Sequence, residues 1–248
     1  MLLIPAVDIK DGRCVRLVRG DMQNETVYAD SPLSQVKRWI ESGAKRIHIV
    51  DLNGAVEGRP VNSGLIGDIS RRFPHIEFQV GGGIRDLKTA GSYLDAGVQF
   101  VILGTRAVAE PSFIGEMQSR YPGRVIAGLD VKDGVVATEG WLEAADANLV
   151  ELALELEKYG AAAIVYTDIQ RDGMLSGVNI EATAALAAQV SIPVIASGGI
   201  RDLEDVKNLL NVCQNGILGA IAGKSLYEGT LNYQDGVKLI NQSLNRTS

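Results

Sequence analysis

Cysteine is scarce in this chain: Cys14 and Cys213 are the only two. Two thiols so far apart make neither a disulfide framework nor a zinc-type spacing, so they read as reduced and unpaired. Histidine is equally rare, with two residues, and no cluster of His, Cys and carboxylates has the spacing of a metal site. No apolar run approaches the ~20 residues of a membrane span. A secretory signal is not evident either, because Asp8, Lys10 and Asp11 interrupt the apolar start. Basic residues are not in surplus; the net charge is −6, which argues against a general nucleic-acid surface. There is no Gly-x-Ser-x-Gly elbow. These absences lead us to expect a cytoplasmic protein with no metal, no membrane partner and no nucleic-acid partner. An anionic substrate would have to be held by local donors.

Aromatic residues make up only 5% of the 248 residues, while Ala, Val, Ile, Leu and Gly are plentiful. That composition suits short buried parallel strands covered by helices. Eight short apolar runs begin near Leu2, Arg46, Ile76, Phe100, Val125, Ala163, Pro193 and Gly216. Amphipathic segments of helical period separate most of them, as at 32–42, 86–95 and 148–159. Strand alternating with helix implies right-handed crossovers and a parallel sheet. Eight such units in ~250 residues match a closed (β/α)8 barrel; an open doubly wound sheet is the alternative. No Pro-, Gly- or Ser-rich linker divides the chain, so 1–248 reads as one domain.

The chain also repeats itself. Gly82-Gly83-Ile84-Arg85-Asp86-Leu87 returns as Gly198-Gly199-Ile200-Arg201-Asp202-Leu203, a little under half a chain later. Val7-Asp8-Ile9-Lys10-Asp11-Gly12 matches Leu129-Asp130-Val131-Lys132-Asp133-Gly134. Asp51 matches Asp168, and Gly104-Thr105 matches Gly223-Lys224-Ser225. The reading is two (βα)4 half-barrels, about 1–122 and 123–248. Every match falls at the C-terminal end of a strand, the face on which active sites of these barrels form. Asp8 and Asp130 should face each other across the mouth. Two carboxyls there can divide acid and base roles if their surroundings separate their pKa values; alternatively each caps a turn.

The glycine motifs come in opposed pairs. Gly82-Gly83 with Gly104-Thr105 closes the third and fourth strands, and Ser197-Gly198-Gly199 with Gly223-Lys224-Ser225 closes the seventh and eighth. Backbone without Cβ atoms before a helix start suits phosphate, and Asp202 reads as the N-cap of such a helix. A ligand with a phosphate at each end would span the barrel. If both glycine pockets hold phosphate, Val at Gly83 or Gly199 should weaken binding of the bisphosphate with little loss of fold; alternatively the glycines only permit helix–strand packing. Arg19-Gly20-Asp21 lies in a long first loop, as a cationic lid or a solvated charge. Trp141, in the fifth loop, could stack on a flat heterocycle or anchor its loop. His48 is a ligand contact or a core histidine. Thr167 and Asp168 lead into the polar Arg171-Asp172-Gly173 loop. Arg85 and Arg201 bind substrate or pair with nearby carboxylates.

Taken together, Ile4-Pro5-Ala6-Val7-Asp8-Ile9-Lys10-Asp11-Gly12 with Val15-Arg16-Leu17, Asp51-Leu52-Asn53-Gly54-Ala55, Val80 to Arg85, Gly128-Leu129-Asp130, Tyr166-Thr167-Asp168-Ile169 and Gly223 to Tyr227 resemble the phosphoribosylformimino-aminoimidazole-carboxamide ribotide isomerases of histidine biosynthesis. The likeness covers nearly the whole chain. It implies an Amadori rearrangement of a bisphosphorylated ribotide without metal, nicotinamide or flavin, by a monomer. It also implies Asp8 as proton acceptor, Asp130 as proton donor, Thr167 orienting the sugar, Arg19 on a phosphate and Trp141 near the aminoimidazole. With the residues read from the motifs, the candidate substrate-binding set comprises Arg19, Gly20, His48, Gly82, Gly83, Arg85, Gly104, Thr105, Trp141, Asp168, Ser197, Gly198, Gly199, Gly223, Lys224 and Ser225. A sister family, the cyclase subunit of imidazole-glycerol-phosphate synthase, shares the doubled barrel and would place its base at Asp11. Ala6-Val7 and Asn53-Gly54-Ala55 stand against it. A bifunctional enzyme that also isomerises phosphoribosylanthranilate, and a phosphosugar-binding protein on the same scaffold, are the remaining readings.

Overall fold

Alternation along the first strand sets the architecture. In β1 (Leu2–Lys10), Leu3, Val7 and Ile9 join the large apolar layer outside the sheet, while Ile4 and Ala6 join a separate cluster within it. Asp8 continues the inward series Ile4, Ala6, Asp8. The same period runs through β2 (Arg46–Asp51), β3 (Glu77–Gly81), β4 (Phe100–Leu103), β5 (Val125–Lys132), β6 (Ala163–Asp168), β7 (Val194–Ser197) and β8 (Ile217–Ala222). Every neighbouring pair is parallel, and β8 pairs with β1, so the eight strands close into a barrel. The structure, a computed structural model, describes residues 1–18, 21–138, 141, 143–145 and 147–244.

The inner cluster is a plug of Ile4, Ala6, Ile102, Ile126, Ala163, Val165, Ile195 and Ile221. It fills the axis below the mouth, as barrel interiors of branched residues do. The outer layer is covered by helices whose starts are chemically marked. Ser31 caps the helix Pro32–Glu41, Asp86 caps Leu87–Asp95, Asn148 caps Leu149–Lys158, and Asp202 caps Leu203–Val212 through the amides of Glu204 and Asp205. Among the described residues no helix is long and apolar enough to cross a membrane.

Two strands extend past the barrel into hairpins. Lys10 pairs with Arg13 and Lys132 with Val135, leaving the two-residue turns Asp11-Gly12 and Asp133-Gly134. All four turn residues have positive φ, 51° and 74° in the first and 52° and 80° in the second. That is the geometry for which Asp-Gly is chosen, because its twist matches the strands. Arg13–Val18 is thus the second arm of the first hairpin and Val135–Thr138 the second arm of the other.

Ile4 is fully buried in the plug. Ile4→Ala should therefore cost about 2–5 kcal/mol of stability, as cavity-forming truncations do. Urea unfolding followed by circular dichroism checks it.

Candidate active site

The inward period delivers Asp8, Gly104, Asp130, Thr167, Ser197 and Gly223 to the mouth. Asp8 Oδ2 accepts from Arg16 Nη1 at 2.5 Å, with both side chains largely enclosed. Arg16 comes from the first hairpin, whose Asp-Gly turn sets Val15 opposite Asp8. Across the barrel, Asp130 accepts the indole N–H of Trp141 at 2.7 Å and a bond from Thr167, its register partner on β6. Trp141 therefore orients a carboxyl of the site rather than only anchoring its loop. Arg19 and Gly20 lie outside the described residues.

Burial pushes the carboxyl of Asp130 up from its usual range, and the bonds from Trp141 and Thr167 hold it back. A third carboxyl is present. Burial pushes Asp172 up to about 6; the charges of Asp8 and Asp130 add to the rise, and Arg16 opposes it. Asp172 lines the same cavity as Asp8 and Arg16. One step below the mouth, His48 sits beside Ala6 and meets Gln79 Nε2 through Nδ1 at 3.1 Å. Burial, with Arg16 nearby, takes His48 down to about 3. It is a neutral imidazole at working pH, suited to hydrogen bonding and not to pairing with an anion's charge.

The glycine pairs answer to the loops beneath them. Gly82 and Gly83 have φ of 100° and 71°, and Gly198 and Gly199 both 88°. A Cβ on Gly83 would lie 2.6 Å from Gly54 O, and one on Gly199 2.5 Å from Gly177 O. Left-handed backbone and this close approach both exclude a side chain. The expectation that Val at Gly83 or Gly199 spares the fold is therefore corrected. Those carbonyls are fixed by two carboxylates. Asp51 accepts from the amides of Gly54, Val61 and Asn62 and from Asn62 Nδ2. Asp168 accepts from the amides of Gln170 and Arg171 and from Asn179 Nδ2.

This corrects Asp168 as a substrate contact. Thr167 points inward, so Asp168, the next residue, points outward and is committed to its loop. Asp11 is likewise a turn residue, bonded through its amide and carboxylate to Asn53. The Ser225 side chain is fully enclosed and its hydroxyl has no partner, which leaves only its backbone for a ligand. Arg201 pairs with Asp202 and Asp205, and the Arg85 guanidinium lies over Gly58. Ser197, Gly198, Gly199, Gly223 and Lys224 line the cavity that holds Asp8. On the opposite side Gly104 faces open space, with Thr105 beginning the helix after it.

A closed (β/α)8 barrel with carboxyls from opposite strands at its C-terminal mouth and glycine turns beside them is the arrangement of a barrel enzyme that acts on a small molecule. The family model described as "Histidine biosynthesis protein" matches residues 2–232, and the chain belongs to that family. Similar proteins bear the name 1-(5-phosphoribosyl)-5-((5-phosphoribosylamino)methylideneamino)imidazole-4-carboxamide isomerase. One from Alcanivorax borkumensis is 53% identical over 96% of this chain and 97% of its own length. One from Azotobacter vinelandii is 53% identical over 96% and 98%, and one from Thioalkalivibrio sulfidiphilus is 51% identical over 98% and 100%.

Two outcomes follow from the geometry. Gly199→Ala should lower stability by well over ~1 kcal/mol, because φ is positive and a carbonyl fills the space; chemical denaturation measures it. Asp172, raised above the free value of ~3.9, stabilises the fold most below pH ~4 and loses that contribution as pH rises through about 6. Asp172→Asn cannot ionise, so it should gain on the native protein across that window. Melting temperatures of both proteins from pH 4 to 7 would show it.

Proposed function

We propose that this protein catalyses the Amadori rearrangement of phosphoribosylformimino-5-aminoimidazole-4-carboxamide ribotide to its phosphoribulosyl isomer in histidine biosynthesis. The observation that carries the reading is a divided set of carboxyls in one mouth. Asp8 lies against a guanidinium, while burial favours the protonated forms of Asp130 and Asp172. An aldose–ketose conversion needs that division. A protonated carboxyl gives its proton to the ribose ring oxygen; the ring C–O bond breaks and a Schiff base forms at the former anomeric carbon. Asp8 then takes the proton from the adjacent carbon, leaving an enolamine that tautomerises to the ketose.

Asp130 is the donor in this proposal, with Thr167 and Trp141 holding it. One observation favours a second assignment: Asp172 shares the cavity of Asp8, and its value of about 6 suits an acid near neutral pH. The two phosphates are assigned to the glycine turns after β3 and β4 and after β7 and β8, with Arg19 on one of them. The proposed enzyme is monomeric and cytoplasmic, one domain built from half-barrels 1–122 and 123–248. Asp11 is occupied with Asn53 in an exposed turn, which disfavours the cyclase chemistry.

Turnover by the purified protein tests the reading. The native enzyme should convert the ribotide, and Asp8→Asn should lose on the order of 10²–10⁴ in kcat with ligand affinity nearly intact. The larger kcat loss between Asp130→Asn and Asp172→Asn identifies the donor. Full activity in Asp8→Asn, or no turnover by the native protein, would refute the proposal.

A further inference from the structure

The two glycine cradles are not alike. On the β4 side, nothing lies within 4 Å of where a Cβ on Gly104 would be. On the β8 side, a Cβ on Gly223 would fall on the Arg16 guanidinium. The Nη2 end of Arg16 reaches the space beside the bare Cα of Gly223, with the Tyr227 ring centroid 5.6 Å from the central carbon of the guanidinium. The same guanidinium donates to Asp8 Oδ2 at 2.5 Å. Ser197, Gly198, Gly199, Gly223 and Lys224 line one cavity together with Arg16 and Asp8. Glycine at 223 thus leaves room for an arginine from the first hairpin.

These contacts put one cation between two anion sites. One is the carboxylate at the end of β1. The other is the cradle between β7 and β8, with Lys224 on its rim. A carboxylate that holds a guanidinium hydrogen is a weaker base toward carbon, because the ion pair stabilises its unprotonated form. A phosphate offers the guanidinium more charge and a bidentate geometry, and a phosphate that enters this cradle must meet Arg16.

We propose that Arg16 is a positioning residue that exchanges partners: the substrate phosphate at the β7–β8 cradle takes the guanidinium from Asp8 and so frees the carboxylate to act as the base. No bond other than hydrogen bonds changes in this step. It makes binding energy from a remote phosphate appear in kcat rather than in KM. The inference rests on Asp8 as base and on a phosphate at this cradle.

The test has two arms. In the first, crystals of the native protein are grown with inorganic phosphate. A phosphate should sit in the β7–β8 cradle, bonded to Arg16, with the Arg16–Asp8 bond broken. A phosphate in the cradle with that bond intact, or an empty cradle at saturating phosphate, would overturn the proposal. In the second, the two monophosphate analogues of the ribotide, each lacking one phosphate, are assayed with and without added inorganic phosphate. The analogue missing the β7–β8 phosphate should be slow in kcat and accelerated by added phosphate, up to on the order of 10²-fold. Arg16→Lys should keep part of that acceleration and Arg16→Gln none. Equal acceleration in Arg16→Gln, or none in the native enzyme, contradicts the exchange. Failure of the native enzyme to turn over the intact ribotide refutes the isomerase reading instead, and the crystallographic arm then decides for Arg16. That arm also stands if Arg16→Gln does not fold.

Discussion

The two-residue period of a closed parallel barrel is the constraint on which everything else depends. Once eight strands pair round to β8 with β1, each residue is committed to the axis or to the helices. Ile4, Ala6 and Asp8 share one face; Ala163, Val165 and Thr167 share another. Apolar members of each series make the plug, and the last member, above the plug, meets solvent and substrate. The polar groups of the mouth stand on rigid strand ends, where a packed scaffold fixes their separation.

The loops are held to the barrel by outward carboxylates. Asp51 and Asp168 follow inward positions, turn away from the axis and gather the amides of the loop that follows. The tightened loops present their carbonyls to the neighbouring glycine pairs, which accept the approach because they lack a Cβ. Among the described residues of the mouth and the layer just beneath it, Asp8, Asp130, Asp172, Arg16 and His48 are sorted by burial and by neighbours. Arg16 holds Asp8, while enclosure favours protons on Asp130 and Asp172. The same enclosure keeps His48 uncharged.

Much of this was legible in the residues. Alternating runs and the doubled motifs pointed to the barrel, Asp202 announced a helix start, and Asp8, Asp130 and Thr167 stand on the inward face. Asp168 is decided by parity: with Thr167 inward, the next side chain has to face out. The glycine pairs were read for the ligand, whereas the carbonyls that require glycine come from Gly54 and Gly177, distant in sequence and invisible to a local motif. Arg16 was passed over because its place depends on hairpin register, which the Asp11-Gly12 turn fixes only once it is recognised as two-residue. Asp172 reads only as part of a polar loop entering the site; what raises its carboxyl is enclosure, a property of the assembled mouth.

The central claim is that Asp8 takes the proton from the carbon beside the former anomeric centre. Running the reaction in D₂O and following that carbon by mass spectrometry and NMR tests it most directly. The native enzyme should exchange that hydrogen for solvent deuterium in recovered substrate, while Asp8→Asn, with the substrate still bound, should show exchange slowed to near the uncatalysed rate. Exchange at the native rate in Asp8→Asn would contradict the account.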